Sequence, residues 1–194
     1  GIGSRLWPLS TKDLPKQFLN LPFNAKHNLF QQTLLGVKNK KIFKKPIIVC
    51  SEKHKFLALN SLNNINFSYY DIIVEKISKN TAISVLLGVI HAINNIDSKY
   101  SLILPSDHYI QKRDYTSIIP KDFNQNRHLI FGIKPKFPSI DYGYISVEKS
   151  SNKIKEVKKF LEKPNIQNAK AFIKKGYFWN SGIFLLNNQK LLLD

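Results

Sequence analysis

Cysteine occurs once in this chain, as Cys50 at the end of the apolar run Pro46-Ile47-Ile48-Val49-Cys50. A single cysteine excludes a disulfide framework within the chain and leaves no Cys/His set for zinc, so it reads as a buried structural thiol. Long apolar runs are lacking too, and none approaches the roughly 18 residues of a membrane span. No charged segment leading into an apolar one marks a signal peptide, and a cytoplasmic address is consistent with all of this. Internal repeats, low-complexity linkers and Pro/Gly-rich hinges are missing. Acidic residues are scarce: 13 stand against 30 Lys and Arg, for a formal net charge of +17. That excess suits an anionic partner. Its lysines are scattered, as in Lys38, Lys40, Lys41, Lys44 and Lys45, which reads as compositional bias with solvated faces. A nucleic-acid partner therefore ranks last, while a small anionic substrate would profit from the same field.

What is present is a globular composition, 43% hydrophobic and 12% aromatic in 194 residues, enough for one domain with a real core. Short apolar runs alternate with helical patterns. Asn28 and Gln31 stand at capping-box spacing before an apolar stripe, which predicts a helix over 28–40. Strands follow at 47–50, 71–75 and 101–107, the last stopping at Pro105, with helices at 52–62 and 80–95 between them. This order predicts an α/β fold with a mostly parallel mixed sheet flanked by helices. After Pro120 the texture changes. Residues 128–135 and 142–147 are strand-like, 153–164 holds one more strand, and 168–176 is a short helix closed by Gly176. Residues 178–186 form a last strand with a polar break. The second half, about 111–194, reads as an insertion lining a site within one domain whose nucleotide half is about 1–110.

Three stretches carry candidate chemistry. The opening Gly1-Ile2-Gly3-Ser4-Arg5 lets backbone N–H groups approach phosphate oxygens beside a permanent cation. It is neither a P-loop nor a dinucleotide fingerprint, and two glycines alone would make a plain turn. Glu75 precedes Asn80, which by itself is a helix cap. Asp107 ends a strand where open α/β sheets bind ligands, and a carboxylate there suits part of a Mg²⁺ site, or else caps a helix. In a doubly wound sheet the glycine loop follows a central strand. None precedes Gly1, so the fold is expected to be incomplete at both ends and this stretch to fold poorly alone.

The full strings resolve these choices by resemblance. Gly1, Gly3, Ser4, Arg5, Leu6, Trp7, Pro8, Leu9 and Ser10, then Pro15, Lys16, Gln17 and Phe18, resemble the opening signature of the sugar-1-phosphate nucleotidyltransferases, within them the mannose-1-phosphate guanylyltransferases. Glu75-Lys76-Ile77-Ser78-Lys79-Asn80-Thr81-Ala82 is similar to the family's E-P-x-x-R-N-T-A, with lysines in place of its Pro and Arg. Leu104-Pro105-Ser106-Asp107-His108, Tyr142-Gly143-Tyr144-Ile145, Phe160-Leu161-Glu162-Lys163-Pro164 and Trp179-Asn180-Ser181-Gly182 follow in family order. The resemblance implies a Rossmann-like nucleotidyltransferase fold and transfer of GMP from GTP to mannose 1-phosphate, with pyrophosphate released. It implies Arg5 and Lys16 on the triphosphate, with Gly1, Gly3 and Ser4. Glu75, Asn80 and Thr81 would take the nucleotide's base end, and Asp107 would hold Mg²⁺. Gly143, Glu162, Lys163 and Asn180 would hold the sugar phosphate. Asp141 stands where the family has Gly, and the family's second metal carboxylate lies in a W-x-D-x-G motif expected beyond residue 194. Another sugar or base, or a nucleotide-binding regulatory domain without turnover, stays open, as does a homo-oligomer.

Overall fold

A computed structural model describes residues 6–21, 26–76, 81–110, 114–120, 123 and 126–194. The chain divides into two compact units, residues 1–127 with 186–194, and residues 128–185.

In the first unit, α1 (Leu29–Leu35) starts on the expected capping box. Asn28 Oδ1 accepts from the Gln31 backbone N–H at 2.8 Å, and Gln31 Oε1 accepts from the Asn28 N–H at 3.0 Å. The helix stops at Gly36, short of the predicted residue 40. Strand β1 (Ile47–Ser51), helix α2 (Lys55–Asn63) and strand β2 (Asp71–Glu75) follow. β1 and β2 pair in parallel, Ile47 opposite Asp71 through Ser51 opposite Glu75. Alternate strand residues face opposite sides. Ile48 joins Phe30, Leu34, Ala58 and Leu62 in the core with α1 and α2, while Val49 meets Gly88 of helix α3 (Thr81–Ile96) on the other side. Helices thus cover both faces of this pair, as the alternation predicted. Strand β3 (Tyr100–Ile103) ends before Leu104-Pro105, since a proline withholds the next ladder donor.

In the second unit, strands β4 (Leu129–Ile133), β5 (Tyr144–Val147) and β6 (Val157–Leu161) and helix α4 (Ile166–Lys174) precede the long β7 (Phe178–Asn187). The strand order is β4-β7-β5-β6, every pair antiparallel. Tyr144, Ala169 and Trp179 form the buried centre. From Leu186 the chain returns to the first unit and ends in α5 (Asn188–Leu193). There the Asn188 N–H donates to Lys99 O at 3.0 Å.

The mostly parallel sheet expected from the sequence is therefore corrected. β1–β2 is a parallel pair, whereas β4–β7, β5–β6 and β5–β7 run antiparallel. Periodicity marks a strand but carries no information on which strand its backbone will pair with. Cys50 is half-buried on β1 rather than fully buried, and its thiol is pushed up by burial and by the nearby Glu75 carboxylate. Such a thiol is a poor nucleophile. Among the described residues no helix is long and apolar enough to cross a membrane.

Candidate active site

The site in the first unit is built on α1. Pro15 is fully buried and its carbonyl accepts from the Phe18 N–H, closing a single 3₁₀ turn over Lys16–Phe18. Phe18 packs on Phe30 of α1 with ring centroids 5.5 Å apart. Two apolar anchors thus fix the turn that carries Lys16. One turn along α1, the Thr33 hydroxyl is shared between Leu29 O of its own helix at 3.2 Å and Pro105 O at 3.3 Å, which brings the loop that follows β3 against α1. The same helix therefore holds both partners of an ion pair, Lys16 Nζ and Asp107 Oδ2, 2.5 Å apart. Burial pushes the Asp107 carboxyl up, but the hydrogen bond and charge of Lys16 outweigh it and hold the group below the usual carboxylate range. Burial lowers the neighbouring His108 below its ordinary value, against the pull of Asp107.

Glu75 ends β2 and is buried, with its Oε1 accepting from Ser84 Oγ at 2.8 Å. Thr81 opens α3. Gly1, Gly3, Ser4, Arg5 and Asn80 lie outside the described residues.

In the second unit, β5 and β7 bring Gly143 and Asn180 together, with the Asn180 N–H donating to Gly143 O at 2.8 Å. The polar break expected in the last strand is a β-bulge. The register shifts between Ile130 and Gly132 of β4, where Ser181, Gly182 and Ile183 of β7 stand against the single residue Phe131. Gly182 sits at φ +73°, a conformation glycine takes without strain. Asn180 Oδ1 accepts from the Gly182 N–H and Ser181 Oγ from the Ile183 N–H, so the polar residues build the bulge themselves. A Cβ on Gly143 would stand 2.9 Å from Phe160 Cζ and 3.0 Å from Glu162 Oε2. Only glycine lets those side chains approach so closely. Lys163 holds φ +36°, an uncommon backbone for a lysine. Its ammonium is 3.9 Å from Glu162, with both side chains mostly exposed, so this pair adds little stability. The structure thus gathers Gly143, Glu162, Lys163 and Asn180, from three separate motifs, around β5, β6 and β7.

Sequence reasoning did not single out Thr33 or Ser84. Thr33 gives no signal for the loop contact, because Pro105 is 72 residues away and its bond to Leu29 O is an ordinary intrahelical one. Ser84 in a first helical turn looks like an ordinary helix-start residue.

The lysine–carboxylate pair follows β3 and the buried Glu75 ends β2, so both lie beyond strand C-terminal ends, where open α/β sheets bind their ligands. The nucleotidyl transferase family model matches residues 1–192, and the chain belongs to that family. A mannose-1-phosphate guanylyltransferase from Klebsiella pneumoniae is 34% identical over 203 residues, covering 100% of this chain and 42% of that protein. A solved structure described as mannose-1-phosphate geranyltransferase from Thermus thermophilus superposes with a TM-score of 0.85 at 27% identity, over 98% of this chain and 56% of that one. One described as mannose-6-phosphate isomerase from Helicobacter pylori gives 0.74 at 32% identity, over 93% and 68%. The chain spans about two fifths of the length of the curated relatives it matches.

Proposed function

We propose that the protein transfers GMP from GTP to mannose 1-phosphate, giving GDP-mannose and pyrophosphate. A phosphate oxygen of mannose 1-phosphate forms a bond to the α-phosphorus of GTP while the bond to the bridging oxygen of the β-phosphate breaks, and pyrophosphate leaves. Such a transfer asks the protein for positioning and charge stabilisation, with no covalent intermediate. Lys16 neutralises the triphosphate, with Arg5 and the Gly1–Ser4 loop as partners. Glu75 accepts from the N–H edge of guanine, near Asn80 and Thr81. Lys163 meets the phosphate of the sugar, and Glu162, Asn180 and the Gly143 backbone meet its hydroxyls.

Magnesium suits this donor set in part. Among the described residues no three His, Cys, Asp or Glu side chains cluster, but Mg²⁺ commonly takes one or two carboxylates and completes its shell with substrate phosphates and water. Asp107 would hold it, and the ion would supply neutralising charge on the phosphates.

The observation that carries this reading is the contact between Lys16 and Asp107, which joins the phosphate cation to the metal carboxylate of two separate motifs. The relatives' names support the choice of substrates. The test is pyrophosphate release by the full-length protein from GTP and mannose 1-phosphate with Mg²⁺, beside Asp107→Asn. Release abolished in the variant supports the reading. GTP bound without turnover by the wild type would favour a regulatory domain instead, and release with other nucleotides or sugar phosphates would reassign the substrate.

A further inference from the structure

Glu75 is a buried carboxylate, 8% exposed, at the C-terminal end of β2. Its backbone is held by the parallel ladder, where Glu75 stands opposite Ser51. Its side chain is held from a different element. Ser84 lies in the first turn of α3, and helical side chains lean toward the helix N-terminus. That lean carries its hydroxyl back to the strand end, where Oγ donates to Glu75 Oε1 at 2.8 Å. The hydrogen bond joins the start of the helix to the end of the strand, two elements nine residues apart along the chain.

An ionised carboxylate offers about four acceptor sites on its two oxygens. Ser84 takes one of them and thereby sets the plane in which the others lie. We infer that Ser84 is a positioning residue for base selection: it orients the Glu75 carboxylate toward a purine edge carrying two adjacent N–H donors. Guanine presents that edge through N1–H and its 2-amino group, and adenine does not. This inference rests on the base-reading role proposed for Glu75.

The test compares GTP and ATP dissociation constants for the full-length wild type, Ser84→Ala, Ser84→Thr and Glu75→Gln, with thermal midpoints recorded for each. Ser84→Ala is expected to weaken GTP about tenfold while ATP stays within about twofold, as for loss of one hydrogen bond to a charged group. Ser84→Thr, which keeps the hydroxyl, is expected to retain the wild-type preference and also guards against misfolding of the alanine variant. An unchanged GTP/ATP ratio in Ser84→Ala, or equal weakening of both nucleotides, would overturn the inference and make Ser84 a structural partner. A wild type with no preference for GTP, matched by Glu75→Gln, would overturn the base-reading role itself and the inference with it.

Discussion

Lys16 Nζ lies 2.5 Å from Asp107 Oδ2, so the cation assigned to phosphate and the carboxylate assigned to metal neutralise each other in the free protein. Neither residue is fully exposed, with side-chain accessibilities of 32% and 25%. Their attraction therefore exceeds that of a fully solvated pair. Under the proposed function, a triphosphate that drew the ammonium to itself would release the carboxylate in the same movement.

It follows that the two residues act as one unit. Lys16→Met and Asp107→Asn should each lower kcat/KM for pyrophosphate release about a hundredfold or more. The double variant should lose less than the product of the two single losses, as for residues in contact. Steady-state kinetics on the four proteins would check this, and purely multiplicative losses would show that the pair is not coupled.

Gly143 has no room for a side chain. Gly143→Ala would set a methyl against Phe160 and Glu162, and should cost about 1–3 kcal/mol of stability through forced repacking. Because the displaced Glu162 is assigned to the sugar, KM for mannose 1-phosphate should rise while KM for GTP holds. Denaturant unfolding and a two-substrate kinetic series would read these separately.

Tyr144 is fully buried, and its hydroxyl both donates to Ser139 O and accepts from the Ser139 N–H, each at 3.0 Å. Tyr144→Phe leaves both backbone groups unpaired next to the Tyr142–Gly143 turn. A loss of about 1–3 kcal/mol is expected, measurable by urea unfolding. A smaller loss, under about 0.5 kcal/mol, would mean that water restores the pairing.

Asp71 should leave a mark on acid stability. Lys45 and then His91 hydrogen-bond its carboxylate and, against a smaller opposing effect of burial, hold it below the usual carboxylate range. A lowered carboxyl stabilises the fold at any pH above its unfolded value of about 3.9, and loses that contribution as pH falls through the folded value. The wild type should therefore exceed Asp71→Asn by about 1 kcal/mol at pH 6, with the gap closing below about pH 4. A gap that persists at pH 2 would place the effect in packing rather than charge.

Much of the local structure was legible in the residues. The Asn28/Gln31 capping box forms as read, and Gly176 follows α4 at φ +77°. β2 spans Asp71–Glu75, as its apolar run indicates. Such features depend on backbone conformation and hydrogen bonds within a few residues, which neighbouring side chains decide. The polar break at Asn180–Gly182 was legible as an interruption, but not as a bulge that faces Asn180 across to Gly143.

By itself the sequence determined most of the elements and their order, because periodicity and capping are written in short stretches, while the residues proposed for phosphate, base and sugar followed from the family resemblance of its motifs. Tertiary structure alone decided that β5, β6 and β7 pair antiparallel, that Ser84 meets Glu75, and that α1 holds both Phe18 and Pro105 so that Lys16 reaches Asp107. The physical reason is distance along the chain. A backbone edge accepts any strand that presents complementary donors, and an ammonium accepts any carboxylate brought within reach. Which partner arrives is settled by the packing of the whole unit, not by the residues beside it.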